Sequence, residues 1–309
     1  MTIEHTACLG SGVIGASWAA LFLASGRSVA LYDPAPGAEA ATREYIETAW
    51  PTLEELGLTE SGSPNALRIC GSAAEAVDGA GFVQENVPER LAIKHATFQE
   101  IEPALAPEAI VASSASGLTL SQMQQGWTSP ARFVLGHPFN PPHLIPLVEV
   151  MGNERTEPGV VAQARAFYES LGKVTIEVAK EKNGHVANRL QAAIWREAIS
   201  LVDEGVASVE DVDKAVWAGP GLRWAAMGPT SLFHLGAGPG GLAAFLDHFE
   251  GTFNGWWDDL GQVELDVDVN AKLVEGVAQA TDGKSVKELS AERDALILAM
   301  LKQTRALRG

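Results

Sequence analysis

The chain has few cysteines, few basic residues and no unbroken apolar stretch of membrane-spanning length. Cys8 and Cys70 are the only cysteines in 309 residues, which excludes a disulfide framework or cysteine zinc site and agrees with a reducing cytoplasm. A net charge of −17 argues against nucleic-acid or anionic-membrane partners. The apolar run from Ala7 to Ala24 is interrupted by glycines and preceded by no basic residue, so it is neither signal peptide nor membrane span. We therefore expect a cytoplasmic protein that needs no metal.

A glycine-rich turn between a short apolar strand and a helix is the first informative motif. Residues 10–15 read Gly-Ser-Gly-Val-Ile-Gly, the G-x-G-x-x-G pattern, and follow a predicted strand from Thr6 to Leu9. A second predicted strand ends at Asp33, where a dinucleotide-binding unit has the acid that holds the adenosine ribose diol. The segment after Asp33 contains no arginine that could receive a 2′-phosphate, so the predicted cofactor is NAD. The predicted cofactor-binding residues of this unit are Gly10, Gly12, Val13, Ile14, Gly15 and Asp33.

Short β-rich segments alternate with helical ones as far as residue 182, as in a doubly wound parallel sheet. The further predicted strands are Gly81 to Glu85, Ile110 to Ser113, Arg132 to Leu135, Leu147 to Val150 and Val174 to Val178. Polar turns that contain Glu89 and Ser116 follow two of these strands, so both residues are candidate cofactor contacts. From residue 183 the apolar spacing becomes helical. The prediction is an α/β fold with a Rossmann-type NAD-binding domain over residues 1–182 and an all-helical domain for substrate and dimer contacts over 183–309.

A histidine and a carboxylate flank a proline-rich segment in the first half of the chain. The residues from Gly136 to Glu149 read GHPFNPPHLIPLVE, which predicts His137 in a stiff turn and Glu149 on the strand that follows. A carboxylate bonded to one ring nitrogen fixes the tautomer and raises the basicity of the other nitrogen. The pair therefore has the chemistry of a general base and its orienting acid. The alternative is a turn-capping histidine and a solvated carboxylate at the strand end.

The motifs, taken in order, resemble those of the 3-hydroxyacyl-CoA dehydrogenase superfamily over essentially the whole chain. They are GSGVIG with Asp33, the VPE turn, SSASGL, GHPFNP with LVEV, and NGHVANRL. Within the superfamily, GPGLRWAAMGP at residues 219–229 looks most like the λ-crystallin type, which includes L-gulonate 3-dehydrogenases and the related L-carnitine 3-dehydrogenases. The resemblance implies NAD-linked oxidation of a β-hydroxyl by a homodimer.

The resemblance also implies roles for individual residues. The catalytic residues would be Ser116, His137, Glu149 and Asn188, with Ser116 and Asn188 also binding substrate, and Arg223 would be a further substrate-binding residue. The chain departs from the usual Asn-Thr-Ser of the family, because it has Ser114 and Ala115 before Ser116. That departure leaves the hydrogen bonding of this turn open.

Charge bears on the choice of substrate. The stretch from Glu39 to Glu60 carries six glutamates against Arg43 alone, a surface that would repel the phosphates of coenzyme A. Arg223, in contrast, could grip a small carboxylate through two parallel hydrogen bonds, unless it forms a structural ion pair. We therefore expect a free β-hydroxy acid of the L-gulonate or L-carnitine type, and the tryptophans could form a cage for a quaternary ammonium group. The alternatives are a 3-hydroxybutyryl-CoA dehydrogenase and a non-catalytic, crystallin-like structural protein.

Overall fold

The computed structural model describes residues 3–308, the side chain of the last of these excepted, and the chain divides into two compact units. The first, here called the sheet unit, extends to Ala187 and also includes the chain from Ser290 onward. The second, the helical unit, is Asn188–Leu289. The predicted α/β class, a Rossmann-type sheet followed by helices, is confirmed. The domain limits at residues 182 and 183 stay a prediction. The compact units differ from them, because the first unit continues to Ala187 and also includes most of the last helix.

The sheet unit contains eight strands with helices between them. The strands are β1 (His5–Leu9), β2 (Ser28–Tyr32), β3 (Leu67–Ile69), β4 (Phe82–Glu85), β5 (Ile110–Ser113), β6 (Phe133–Pro138), β7 (Leu147–Met151) and β8 (Val174–Glu177). The helices are α1 (Val13–Ala24), α2 (Ala38–Glu55), α3 (Ala73–Val77), α4 (Leu91–Ile101), α5 (Leu120–Met123) and α6 (Val160–Glu169).

The strands form one sheet in the order β3-β2-β1-β4-β5-β6-β7-β8, with every neighbouring pair parallel except β6 and β7. The order reverses between β1 and β4, so a crevice opens beyond the carboxyl ends of these strands, where such sheets bind ligands. In the antiparallel pair, His137 on β6 lies opposite Glu149 on β7. The register of two strands thus brings together two residues that are twelve positions apart in sequence.

Alternate strand residues point to opposite faces of the sheet, and each face packs a separate apolar cluster. Cys8 faces the cluster formed with α1, α2 and α6, which contains Trp18, Phe22 and Tyr168. Its neighbours Ala7 and Leu9 face the cluster with α3, α4 and α5. Because both faces are covered, the central strands read as continuous apolar runs rather than as alternating patterns.

One local prediction needs correction, and two elements of the sheet unit were not predicted. His137 lies within strand β6 and not in a turn, because β6 continues three residues beyond the predicted end at Leu135. The edge strand β3 was absent from the prediction, since three residues give little periodic signal. Helix α2 occupies most of the acidic stretch, and its interior Pro51 obscures a helical spacing of the buried residues Thr42, Ile46, Ala49 and Leu53.

The helical unit holds α7 (Ala187–Asp203), α8 (Val209–Ala218), α9 (Pro220–Ala226), α10 (Pro229–Gly236), α11 (Gly241–Asp259) and α12 (Val267–Ala280), and α13 (Val286–Arg308) runs on into the sheet unit. The glycine-rich segment before α11 forms one short 3₁₀ turn, Gly238–Gly240. None of the described helices is both long and apolar enough to cross a membrane.

Candidate active site

The glycine turn has the backbone geometry that a pyrophosphate requires. Gly10 has φ of 85°, and a Cβ there would lie 2.6 Å from the Asn86 carbonyl oxygen, while a Cβ on Gly15 would collide with the Gly10 carbonyl. A Cβ on Gly12, in contrast, would meet no described atom within 4 Å. Gly12 is the N-cap of α1, and neither a side-chain cap nor an acidic residue occupies that helix end. The turn is therefore compact on its protein side and open where an anion can approach the helix N-terminus.

Asp33 stands at the end of β2 and stabilises the turns on both sides of it. Its Oδ2 accepts hydrogen bonds from the backbone N–H of Ser11 at 2.7 Å and from the Ser11 hydroxyl at 3.0 Å. Its Oδ1 accepts one from the Ala35 N–H at 2.8 Å. A cavity of about 570 Å³ opens beside Asp33, between the end of β2 and the start of α2. These residues fit the adenosine half of a dinucleotide, and the contacts of the individual residues with the cofactor stay predictions.

The His137 and Glu149 side chains form a buried hydrogen bond. Nδ1 of His137 lies 2.8 Å from Oε2 of Glu149, and the Glu149 side chain has no exposed surface. Because a carboxylate only accepts, Nδ1 carries the proton and Nε2 retains its lone pair. That tautomer is the one in which Nε2 can accept a proton from a hydroxyl.

Glu149 also holds the segment that leads into the helical unit. Its Oε1 accepts hydrogen bonds from the backbone N–H groups of Val186 at 2.9 Å and Ala187 at 3.0 Å. Burial by itself would raise the pKa of Glu149, but the hydrogen bonds from His137, Ala187 and Val186 outweigh it and lower the pKa below its usual value. Glu149 therefore remains ionised while His137 gains and loses its proton.

His185 packs against the base. Its ring centroid lies 5.1 Å from that of His137, and its Nε2 donates to the Ala115 carbonyl oxygen at 3.3 Å. Burial and the neighbouring His137 lower the pKa of His185, so the ring is neutral at pH 7. Its φ of 50° is unusual for a residue other than glycine. His185 thus connects the base on β6 with the turn after β5.

The turn that carries Ser116 is held by a carboxylate. Oε1 of Glu89 accepts from the N–H groups of Ser116 at 3.0 Å, Gly117 at 2.7 Å and Leu118 at 3.1 Å. The Ser116 residue is exposed, and its hydroxyl makes no hydrogen bond with any described residue. Glu89 thus orders this turn, whereas its direct contact with the cofactor stays a prediction.

Sequence reasoning missed a buried ion pair behind this turn. Nζ of Lys94 lies 2.7 Å and 2.9 Å from the two carboxylate oxygens of Glu85, and both side chains are fully buried. Glu85 also accepts from the Ser113 hydroxyl at 2.5 Å, and Lys94 lies 3.6 Å from Glu89. A lysine on the apolar stripe of α4 was the signal, because Lys94 shares that stripe with Phe98 and Ile101. The pair joins the ends of β4 and β5.

The hydrogen bonding left open at Ser114 is now defined. Its hydroxyl donates to Oδ1 of Asn86 at 2.7 Å and accepts from Nε2 of Gln84 at 2.9 Å. Oε1 of Gln84 in turn accepts from the Tyr168 hydroxyl at 2.6 Å. Ser114 therefore takes part in a polar chain from Asn86, just after β4, to Tyr168 on α6, while Ala115 contributes its carbonyl to His185.

A buried lysine holds the loop between His137 and Glu149. Nζ of Lys173 donates to the carbonyl oxygens of Pro142 and of Ile145, the latter at 2.7 Å, and lies 5.3 Å from the Trp18 ring centroid. Burial, together with a smaller effect of the Arg305 charge, lowers the pKa of Lys173 to about 7. The loop that joins the two strands of the candidate base is thus anchored to the core.

The lowered pKa of Lys173 predicts a pH dependence of stability. Between pH 7 and 10.5 Lys173 keeps its proton in the unfolded chain and releases it in the folded protein. The free energy of unfolding therefore rises with pH across this window. This gain in stability is lost as the pH falls through 7. In Lys173→Met that contribution is absent. The melting temperature of the native protein should therefore rise relative to that of Lys173→Met, by several degrees between pH 7 and 10. Lys180→Met, at an exposed site, is the control; a constant difference between native protein and Lys173→Met contradicts the prediction.

Asn188 and Arg223 both belong to the helical unit. Asn188 is the second residue of α7, and Arg223 lies in the last turn of the short helix α9. Arg223 is exposed, and no described carboxylate of its unit forms a salt bridge with it. The roles of both residues stay predictions. Within residues 3–308 no group of three or more His, Cys, Asp or Glu side chains could hold a metal ion.

Comparison with known proteins agrees with this geometry. Residues 5–182 match the model of the 3-hydroxyacyl-CoA dehydrogenase NAD-binding domain, and residues 184–262 match that of the C-terminal domain. The chain is 46% identical to the L-carnitine dehydrogenase of Streptomyces coelicolor, over 98% of this chain and 95% of the relative. It is 42% identical to the L-carnitine dehydrogenase of Pseudomonas aeruginosa, over 99% and 97%.

A solved structure is similar over the full length as well. It is 5-formyl-3-hydroxy-2-methylpyridine 4-carboxylic acid 5-dehydrogenase, an NAD⁺-dependent dismutase, with a TM-score of 0.83, 30% identity, and 97% of this chain and 99% of that chain covered. Both halves of the sequence therefore match one family, and the NAD-binding half contains the glycine turn and the buried His137 and Glu149. The chain belongs to the 3-hydroxyacyl-CoA dehydrogenase family and is an NAD-dependent oxidoreductase.

Proposed function

We propose that the protein oxidises the 3-hydroxyl of L-carnitine, a small free β-hydroxy acid, to the 3-keto acid with NAD. The observation that carries the chemistry is the buried hydrogen bond between His137 and Glu149, which leaves Nε2 free in an NAD-binding unit. The relatives support the substrate, because L-carnitine dehydrogenases from several bacteria are 40–46% identical to this chain over nearly its whole length. An L-gulonate-type acid remains the alternative within the same reaction.

The bound NAD would supply the acceptor for the hydride from C3. His137 Nε2 takes the hydroxyl proton as the carbonyl forms, and Glu149, which stays ionised, stabilises the resulting imidazolium. The free hydroxyl of Ser116 and the amide of Asn188 are proposed to hold the substrate oxygen by hydrogen bonds. His185 is neutral, so it adds no positive charge beside the imidazolium.

The substrate carboxylate is proposed to bind Arg223. This guanidinium is exposed and unpaired within the described part of the helical unit, which removes the structural ion pair as an explanation in that unit. A guanidinium matches a carboxylate with two parallel hydrogen bonds. The acidic surface of α2 disfavours a coenzyme A thioester. Among the described residues, Glu39 pairs with Arg43 at 2.9 Å and Glu55 with Lys302 at 3.2 Å, while Glu44, Glu47 and Glu54 form no salt bridge.

The decisive experiment measures NADH formation with L-carnitine, L-gulonate, 3-hydroxybutyrate and 3-hydroxybutyryl-CoA side by side. We expect L-carnitine to give the highest kcat/KM. Arg223→Ala should lower kcat/KM by about 30- to 1000-fold, as expected for loss of a desolvated bidentate contact, while the Kd of NAD is unchanged. Arg223→Lys keeps the positive charge but cannot form two parallel hydrogen bonds, so its kcat/KM should lie between those of the native protein and Arg223→Ala.

The other outcomes are equally informative. Preference for the thioester would overturn the proposal of a free acid, and preference for L-gulonate would overturn L-carnitine. No NADH with any substrate, despite NAD binding, would favour the crystallin-like structural role. Equal loss of activity in Arg223→Ala toward substrates with and without a carboxylate would exclude carboxylate binding by this residue.

We also propose that the protein is a cytoplasmic homodimer in which the helical unit supplies the interface. Few of its residues are buried, and it exposes many large apolar side chains, among them Leu190, Trp195, Trp217, Leu222, Trp256, Trp257 and Val274. So much exposed apolar surface is unusual for a monomer and supports a partner copy. Sedimentation at micromolar concentration should give about twice 32.6 kDa, and a single 32.6 kDa species would contradict the dimer.

A further inference from the structure

The cavity beside Asp33 has a cation on its wall as well as an acid. Its lining includes Asp33, Gly37, Glu39 and Arg43, together with the apolar side chains of Leu31 and Ile69. Because Asp33 is the acid that faces the adenosine ribose in a unit of this kind, the cavity lies where a 2′-phosphate would extend from that ribose. Sequence reasoning excluded an arginine only from the residues directly after Asp33, whereas Arg43 reaches this cavity from the second turn of α2.

Arg43 on its own would favour the phosphorylated cofactor. A guanidinium binds phosphate oxygens with two hydrogen bonds, and the first turn of α2 adds the positive end of an 18-residue helix. Gly37, the N-cap of α2, has no side chain that could occupy that end. Arg43 and the start of α2 would therefore both attract a 2′-phosphate, against the repulsion by Asp33.

Glu39 opposes both of these attractions. Its Oε1 accepts from Nε of Arg43 at 3.0 Å and lies 2.9 Å from an Nη, so the guanidinium is held by a carboxylate of the same cavity. Glu39 also stands in the first turn of α2, where a negative charge offsets the helix dipole. About half of each side chain is exposed, so the pair is reachable by a ligand and sensitive to salt.

We propose that Glu39 is a second determinant of the preference for NAD over NADP, and that it acts by engaging Arg43 and by placing a second negative charge beside the ribose. Asp33 is a poor probe of this effect. Its carboxylate also stabilises the turns at Ser11 and Ala35, so Asp33→Ala should weaken binding of both cofactors as well as relax the discrimination. The Glu39 side chain bonds only Arg43 among the described residues, so its charge can be removed cleanly.

The test is equilibrium titration of the full chain with adenosine 5′-monophosphate and adenosine 2′,5′-bisphosphate, followed by NAD and NADP. At low salt, Glu39→Gln should bind the bisphosphate at least about five times more tightly than the native protein does, while the Kd of the monophosphate stays unchanged. Glu44→Gln is the matched control, because it removes the same charge from an exposed site on α2 outside the cavity. It should change the ratio of the two Kd values, bisphosphate to monophosphate, by less than about twofold.

The double variant Glu39→Gln with Arg43→Ala distinguishes an effect of the Arg43 guanidinium from an effect of the charge of Glu39 on helix α2. Most of the gain for the bisphosphate should disappear in it, because only the effect of the Glu39 charge itself then remains, and the gain in Glu39→Gln should shrink as salt is raised. A Glu39→Gln protein that binds the bisphosphate no better than Glu44→Gln overturns the proposal, as does a gain that the loss of Arg43 leaves undiminished. Because these titrations need no hydroxy acid, their result is independent of which substrate the enzyme oxidises.

Discussion

Replacing His137 with glutamine should reduce kcat by at least about 100-fold while the Kd of NAD stays within a few-fold of the native value. The glutamine amide can still bond Glu149, but it has no group that accepts a proton near neutral pH, so the developing carbonyl loses its general base. NADH formation under saturating L-carnitine measures the loss, and titration calorimetry measures cofactor binding.

His5→Gln is a suitable control, because His5 is exposed at the start of β1 and its side chain bonds only the Ser28 hydroxyl among the described residues. It should keep native kcat. Near-native turnover of His137→Gln at pH 7 would show that another residue is the base.

The parts of the fold that follow from the sequence are those with local rules. The strand, glycine turn and helix at the N-terminus were predicted within about three residues, because Gly10 and Gly15 occupy positions where a Cβ would meet backbone. The alternation of apolar segments with helical ones predicted a doubly wound sheet, but it predicted neither the order of the strands nor the antiparallel pairing of β6 with β7. Helix α2 was not predicted, because Pro51 and many glutamates interrupt the apolar pattern of the four buried positions on its inner face.

The residues that hold the site together were harder to find. Glu85, Lys94 and Lys173 are charged side chains whose burial depends on partners in other strands, helices or loops, and a lysine or glutamate taken alone is expected to be solvated. The pairing of His137 with Glu149 could be predicted in kind, but its geometry needed the register of β6 against β7. For Asn188 and Arg223 the family resemblance remains the basis of the assignment.

Glu149→Gln should be almost as damaging as His137→Gln, with a loss of about 100-fold or more in kcat, although the substitution changes only one atom. In the native protein Oε1 accepts from the N–H groups of Val186 and Ala187, and Oε2 accepts from His137. The glutamine oxygen must take the first position, because an amide NH₂ there would face two donors.

The NH₂ group of that glutamine then points at Nδ1 of His137 and donates to it. The histidine proton therefore has to move to Nε2, and in that tautomer the ring cannot accept a proton from the substrate. All hydrogen bonds of the network are then formed, but His137 no longer acts as the base. Folding and NAD binding should therefore be close to native, as judged by thermal unfolding and calorimetry. Glu149→Asp keeps the charge and the correct tautomer and should retain more activity than Glu149→Gln if it folds. A Glu149→Gln protein that keeps more than about a tenth of native kcat would mean that Glu149 acts through its contacts with Val186 and Ala187, and that the tautomer of His137 is set by another group.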